Sequence, residues 1–190
     1  MLFGFAKCEL EVRNGADGSR IIAGRFAYGA ETELAPNRRE RFEARAFASR
    51  IDAGEDVHLL AQHDFTKPLA SRSAGTLEIR DDDNGVTFEA RISPGIADTS
   101  HGRDALAMID AGLAAGLSPG FRVPDGGSTI TASGSTILRS IHNAELHEMS
   151  IVTRGAYPNA QVEARTWTPF EAIQRVAPER MKSVGALRWR

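Results

Sequence analysis

Residues 76–92 constrain this chain more than any other stretch, because apolar and polar side chains alternate strictly on both sides of one turn. Leu77 and Ile79 alternate with Thr76, Glu78 and Arg80. Val86, Phe88, Ala90 and Ile92 alternate with Thr87, Glu89 and Arg91. A period of two marks half-buried strands, and Asn84-Gly85 offers the positive-φ residues of a tight hairpin turn. The aspartates at 81–83 read as a solvated turn, since they lack the ligand spacing and closing glutamate of a calcium loop.

The same period recurs elsewhere. Ile22, Gly24, Phe26 and Tyr28 alternate with Ala23, Arg25 and Ala27 after a turn at 14–19. Val57, Leu59, Ala61 and His63 share one face if 57–63 is a strand. Leu117, Phe121 and Val123 oppose Ser118, Gly120 and Arg122, and residues 137–152 resume strand character through Leu138, Ile141, Leu146, Met149, Ile151 and Val152. The best helix is 103–115, with Leu106, Ile109 and Leu113 at helical spacing, Thr99-Ser100 as cap and Gly116 as stop. Residues 38–51 fit either a helical stripe through Phe42, Ala46 and Phe47 or short extended pieces. The remaining segments read as connections: 29–37 around Pro36, 64–73 around Lys67-Pro68, the linker 93–98, the Gly/Ser/Thr-rich 124–135, and 154–159. The expected class is mainly β with packing helices, that is α+β.

Bulk properties narrow the function. A chain of 190 residues with 42% hydrophobic and 25% charged residues can bury an ordinary core without a metal or disulfide staple. A net charge of -2 makes no case for bulk attraction to nucleic acid or membrane. The single cysteine, Cys8, forms no internal disulfide, and no apolar run reaches membrane-spanning length, so a cytoplasmic address is the simplest expectation. Arg165, Arg175, Arg180, Lys182, Arg188 and Arg190 make residues 165–190 a basic tail beyond a domain at 1–164, with Phe170, Ile173 and Val176 spaced for a short helix.

The chemistry-bearing residues are few. Taken singly, a serine between Leu117 and Pro119 reads as structural. Its neighbours Gly116 and Gly120 nevertheless leave the hydroxyl little crowded, and His63 ends an apolar strand row where a polar tip would look out at a site. A serine hydroxyl becomes a nucleophile when a neutral imidazole takes its proton, and a third group must hold that ring. Glu145, His147 and Glu148 supply such groups; by alternation Leu146, Glu148, Ser150 and Val152 would share a face. Pro119 has no N–H, so oxyanion donors must come from Ser118, Gly120 or another segment. His58, on the face opposite His63, and His101, at the helix start, read as surface residues. His142 and His147 would face opposite ways, and no histidine pair has metal-protease spacing, so no metal or cofactor is expected.

In chain order these motifs resemble the prohead (procapsid) maturation proteases of tailed bacteriophages, serine peptidases related in fold to the herpesvirus assemblins. The resemblance covers about residues 21–162. It runs through Ile22-Ala23-Gly24-Arg25-Phe26-Ala27, Arg45-Ala46-Phe47, and Leu59-Leu60-Ala61-Gln62-His63-Asp64 with Lys67-Pro68-Leu69. It continues through Gly75-Thr76-Leu77, Gly85-Val86-Thr87-Phe88-Glu89-Ala90, the serine motif at 113–121, and Ala144-Glu145-Leu146-His147-Glu148-Met149-Ser150-Ile151-Val152 with Tyr157-Pro158-Asn159-Ala160.

The resemblance implies an assemblin-like β-barrel, with Ser118 as nucleophile, His63 as base and Glu148 as third member. The assemblins' second histidine makes His147 the alternative, and Gly120 is a candidate oxyanion donor. Pro119 departs from the family's small or aliphatic residue. The implied activity is endoproteolysis of the major capsid protein or its scaffolding segment, and of the chain itself, inside an assembling procapsid in the host cytoplasm. Neither nucleic acid nor membrane is required, and a homo-oligomer is compatible. The tail would be a docking or self-cleaved segment. The competing reading is a non-catalytic capsid-assembly or scaffold-like protein that retains the protease fold. A stand-alone esterase is disfavoured, because the nucleophile-elbow pattern is missing.

Overall fold

The computed structural model describes residues 9–114 and 116–153. Its elements, in order, are β1 (Glu9–Asn14), β2 (Arg20–Ala27), β3 (Thr32–Ala35), β4 (Arg38–Phe42), α1 (Ala48–Asp52), β5 (His58–Ala61), β6 (Asp64–Ser71), β7 (Leu77–Asp82) and β8 (Gly85–Ile92). There follow α2 (Pro94–Ala97), α3 (Ser100–Asp110), β9 (Gly116–Arg122), β10 (Ser128–Ser133), β11 (Thr136–Ile141) and β12 (Glu145–Val152). The strands form three four-stranded sheets, ordered β1-β2-β8-β7, β10-β11-β4-β3 and β6-β5-β12-β9. The chain is therefore mainly β with few helices, and none of these sheets closes on itself. Cys8, the turn expected at 154–159 and the basic tail lie outside the described residues.

The hairpin of β7 and β8 forms as its alternation demands, with Ile79 opposite Phe88 and alternate β7 residues buried. Its turn differs from expectation. The two connecting residues are Asp83 and Asn84, Asn84 keeps a negative φ, and Gly85 is the first residue of β8. The Asp82 carboxylate instead closes the turn by accepting the N–H groups of Asn84 (2.7 Å) and Gly85 (3.1 Å). Gly85 is required by proximity, since a Cβ there would stand 2.2 Å from the Phe26 carbonyl oxygen on β2.

Asp81 does not belong to a solvated turn. It is buried, accepts the Tyr28 hydroxyl on Oδ1 at 2.7 Å, and its other carboxylate oxygen has no partner. Burial pushes its carboxyl above the ordinary value, against the opposing effect of the Tyr28 hydrogen bond and Arg45.

The second sheet contains two strands that hydrophobic alternation did not announce. β3 lies in the expected connector and pairs with β4 through a Pro36-Asn37 turn, Asn37 taking φ 63°. β10 lies in the expected loop at 124–135 and pairs with β11. Both are edge strands, and β10 is largely exposed, so main-chain pairing rather than apolar patterning defines them. β4 and β11 run parallel with Glu40 opposite Arg139, and these two form a buried ion pair at 3.3 Å. The ambiguous 38–51 resolves into β4 followed by the short α1.

The helical region begins and ends earlier than its sequence suggests. α2 occupies the expected linker, α3 starts at Ser100, and the Thr99 hydroxyl accepts the Gly102 N–H at 3.1 Å. Gly112, at φ 69°, terminates the helix, whereas Gly116 opens β9. Leu113 is 64% exposed and so does not extend the apolar stripe.

One aromatic cluster joins the three sheets. Phe26 from β2, Phe42 from β4 and Phe121 from β9 meet around Phe47, with Phe42–Phe47 centroids 5.0 Å apart and Phe42–Phe121 centroids 5.1 Å apart. Phe121→Ala should lower unfolding free energy by about 3–5 kcal/mol, the usual cost of emptying a buried aromatic site. Urea melts that show less than half of this would contradict its hub role.

A second prediction concerns pH. A raised folded-state carboxyl value means that Asp81 favours folding below the ordinary 3.8 and loses that contribution as pH rises through the folded value. Wild type should therefore lose stability relative to Asp81→Asn as pH rises from acid toward neutrality. The opposite slope in paired urea melts would contradict the burial argument.

Candidate active site

Three of the proposed site segments meet in the third sheet, where β12 lies between β5 and β9. On the antiparallel side Val152 faces Gly116, Ser150 faces Ser118 and Glu148 faces Gly120. The next pair is Leu146 with Phe121, which leaves His147 as the extra residue of a bulge. The bulge reverses the face. Leu146 goes with Phe121 into the core, while Glu148 and Ser150 stand on the face of Ser118 and Gly120. The expectation that Leu146 and Glu148 share a face is thus corrected, because one inserted residue breaks the period of two.

His63 is not the end of a strand row. β5 stops at Ala61, and Gln62 and His63 form the two-residue turn into β6, with φ 59° and 60°. Non-glycine residues held there cost on the order of 1 kcal/mol each. The turn is fastened to β12 by the Gln62 N–H on the Ile151 carbonyl (3.1 Å) and the His63 N–H on the Ser150 hydroxyl (2.9 Å). It throws the imidazole across β12 instead of along β5. β6 also replaces an expected loop: it is an edge strand, where Pro68 is tolerated, and it bulges between its pairings with Leu60 and Ala61.

Glu148 is 3% exposed, so its carboxylate needs partners. Oε1 accepts His63 Nδ1–H at 2.6 Å, and Oε2 accepts the Ser150 hydroxyl at 2.6 Å. The carboxylate leans over Gly120, where an added Cβ would lie 2.0 Å from Oε1. Only glycine at 120 leaves room for it. Ser150, which the motifs had not singled out, is the second partner of this carboxylate. Its position two residues after Glu148 was the available signal.

His147 lies elsewhere. Its ring contacts Arg50, with Glu145 at 3.9 Å, and burial followed by the Arg50 charge pushes its pKa down. Asp64, though adjacent to His63, is spent on Thr66 and Lys67, whose hydrogen bonds hold its carboxyl down at about 2. His58 stands beside Glu148 in the parallel pairing, near Asp56 and against the ring of Phe65, so it does not face away from the site as strand alternation had suggested. His101 and His142 donate to the carbonyls of Pro68 and Gly126, at 3.1 and 2.8 Å. Among the described residues no group of three or more His, Cys, Asp or Glu is placed to hold a metal.

Ser118 is 4% exposed, directly opposite Ser150, and on the face that carries Glu148. In a directly opposed pair Cβ atoms lie about 5 Å apart. The Ser118 hydroxyl makes no hydrogen bond to the imidazole in this structure, whereas the His63–Glu148 bond is closed. Ile151 directs its carbonyl at β5, so by alternation Ser150 and Glu148 direct their main-chain groups at β9. Ser118 and Gly120 then direct their N–H groups at β12, and Pro119 falls where its missing N–H would have faced the open edge.

The crowding at Gly120 gives a direct test. Gly120→Ala should push Glu148 off Oε1 contact with His63 and cost about 1–3 kcal/mol of stability. A crystal structure of the variant with the 2.6 Å contact preserved would contradict this.

The family model for the caudovirus prohead serine protease matches residues 7–173. A search of curated proteins and of solved structures found no match. The match takes in β1 to β12 and with them every residue of the site, and on that evidence the chain belongs to the caudovirus prohead serine protease family.

Proposed function

We propose that the chain is a serine endopeptidase of capsid maturation, with Ser118 as nucleophile, His63 as general base and Glu148 as the group that holds the imidazole. The observation that carries this reading is the 2.6 Å contact between His63 Nδ1 and a buried Glu148, on the sheet face that also presents Ser118. Ser118 Oγ attacks a peptide carbonyl while its proton passes to His63 Nε2, and Glu148 stabilises the imidazolium. The proton then goes to the departing amine, and water, deprotonated by the same imidazole, releases the acyl group. Closing the gap between Ser118 and His63 falls to substrate binding, since such contacts are often loose without substrate.

Gly120 is left out of these roles. With its N–H directed at β12, the register argues for oxyanion donors from another segment. The substrate is proposed to be the major capsid protein or its scaffolding segment, and the chain itself, within a procapsid in the host cytoplasm. Among the described residues no helix is long and apolar enough to cross a membrane. A relation to assemblin-type β-barrels rests on motif order, and the division at 164/165 with a docking or self-cleaved tail rests on composition.

The second reading is a non-catalytic capsid-assembly or scaffold-like protein with the same fold. Pro119 beside Ser118, and the absent Ser118–His63 hydrogen bond, are the observations in its favour. Co-expression with the coat protein decides between them: Ser118→Ala and His63→Ala should each cut processing by at least about a thousandfold. Wild type should also lose C-terminal residues that Ser118→Ala keeps, as read by intact mass. Processing that persists in both variants would refute the pair, and none in wild type would favour the scaffold reading.

A further inference from the structure

Ser150 is a fully buried hydroxyl, 0% exposed, on the strand face that carries Glu148 and Ser118. Its other two neighbours on that face, Leu60 on β5 and Val152 on β12, are buried and apolar, so its polar partners all lie within the site. Its hydroxyl is engaged twice: the oxygen accepts the His63 N–H at 2.9 Å, and the proton goes to Glu148 Oε2 at 2.6 Å. With its proton so committed and no exposed surface, Ser150 is not a competing nucleophile.

We infer that Ser150 is a positioning residue of this site, one hydroxyl that fixes both the imidazole's backbone and the carboxylate that orients the imidazole. The inference rests on the protease reading above. Glu148 has two oxygens, and only one touches His63. The other is held by Ser150, which stops the carboxylate from turning about its own axis over the space left by Gly120. The same hydroxyl anchors the left-handed turn at Gln62-His63, whose conformation is costly and needs outside contacts to persist. Removing it loosens both ends of the His63–Glu148 bond at once. Ser118, directly across the ladder, would then face an imidazole in the wrong place.

The test uses the full chain with Ser150→Ala, Ser150→Cys and Ser150→Thr beside wild type and Ser118→Ala. A fluorophosphonate probe reports activation of the nucleophile: Ser118 Oγ bonds to phosphorus, the P–F bond breaks, fluoride leaves and His63 takes the hydroxyl proton. Peptide mass mapping confirms the labelled residue. Ser150→Ala and Ser150→Cys should lower the limiting labelling rate about 10- to 100-fold, the scale of a misplaced catalytic group, with probe affinity near wild type. The melting temperature should fall, because Glu148 Oε2 and the His63 turn each lose a partner, while unfolding stays a single cooperative transition. Ser150→Thr, which keeps the hydroxyl, should retain most of the rate. The downfield Nδ1–H proton resonance of His63 should move or broaden in the Ala and Cys variants and persist in Thr.

Wild-type labelling and an unmoved resonance in Ser150→Ala would overturn the inference while leaving Ser118 and His63 in their roles. A folded Thr variant as slow as Ala would also contradict it. Equal labelling of wild type and Ser118→Ala would instead mark failure of the protease reading, and the positioning role would fall with it.

Discussion

A carboxylate buried inside a β-sheet is the constraint on which the site depends. Glu148 has almost no access to water, and an unpartnered charge there would cost several kcal/mol. Every nearby feature meets that demand. His63 and Ser150 occupy one oxygen each, and Gly120 supplies the space in which the carboxylate lies. The bulge at His147 turns Glu148 to the face where those partners are. The same arrangement gives His63 a fixed ring orientation, with Nδ1 committed and Nε2 left over. That is the condition for a histidine to act as a base toward a serine on the far side of β12.

The fold brings these residues together from distant parts of the chain. β12 is the hinge of the arrangement, parallel to β5 on one side and antiparallel to β9 on the other. It therefore sets the register of both His63 and Ser118. Its opposite face, through Leu146, Met149 and Ile151, enters the core. There Phe121 of β9 packs against Phe42 of the second sheet and Phe47, and both of these pack against Phe26 of the first. One strand thus ties the site's geometry to the packing of the whole domain, and changes in the aromatic cluster should reach the site through β9.

Legibility followed the source of order. Where burial of one face dictates structure, the sequence was readable: β2, β7 and β8 follow their alternation. β9 is buried on both faces, yet Ser118 and Gly120 still fall on the face opposite Leu117 and Phe121, as alternation assigns. Where main-chain pairing dictates it, the sequence was not: β3, β6 and β10 are edge strands with few apolar positions or a proline. The site mixes the two. The His63 turn carries no glycine to announce its left-handed backbone, so it read as a continuing strand. The bulge at His147 is one residue, invisible to a period count, yet it decides which of Leu146 and Glu148 reaches the site. The third member came from motif order, with His147 as its alternative; geometry puts Glu148 against His63 and His147 against Arg50.

The most direct measurement compares Glu148→Gln with His147→Gln in coat-protein cleavage. Glutamine matches glutamate in size but lacks the charge that stabilises an imidazolium and favours the needed tautomer. Glu148→Gln should fold like wild type and lose on the order of 10³–10⁴ in kcat, while His147→Gln should stay within a few-fold of wild type. An active Glu148→Gln enzyme, or a dead His147→Gln enzyme that is correctly folded, would contradict this.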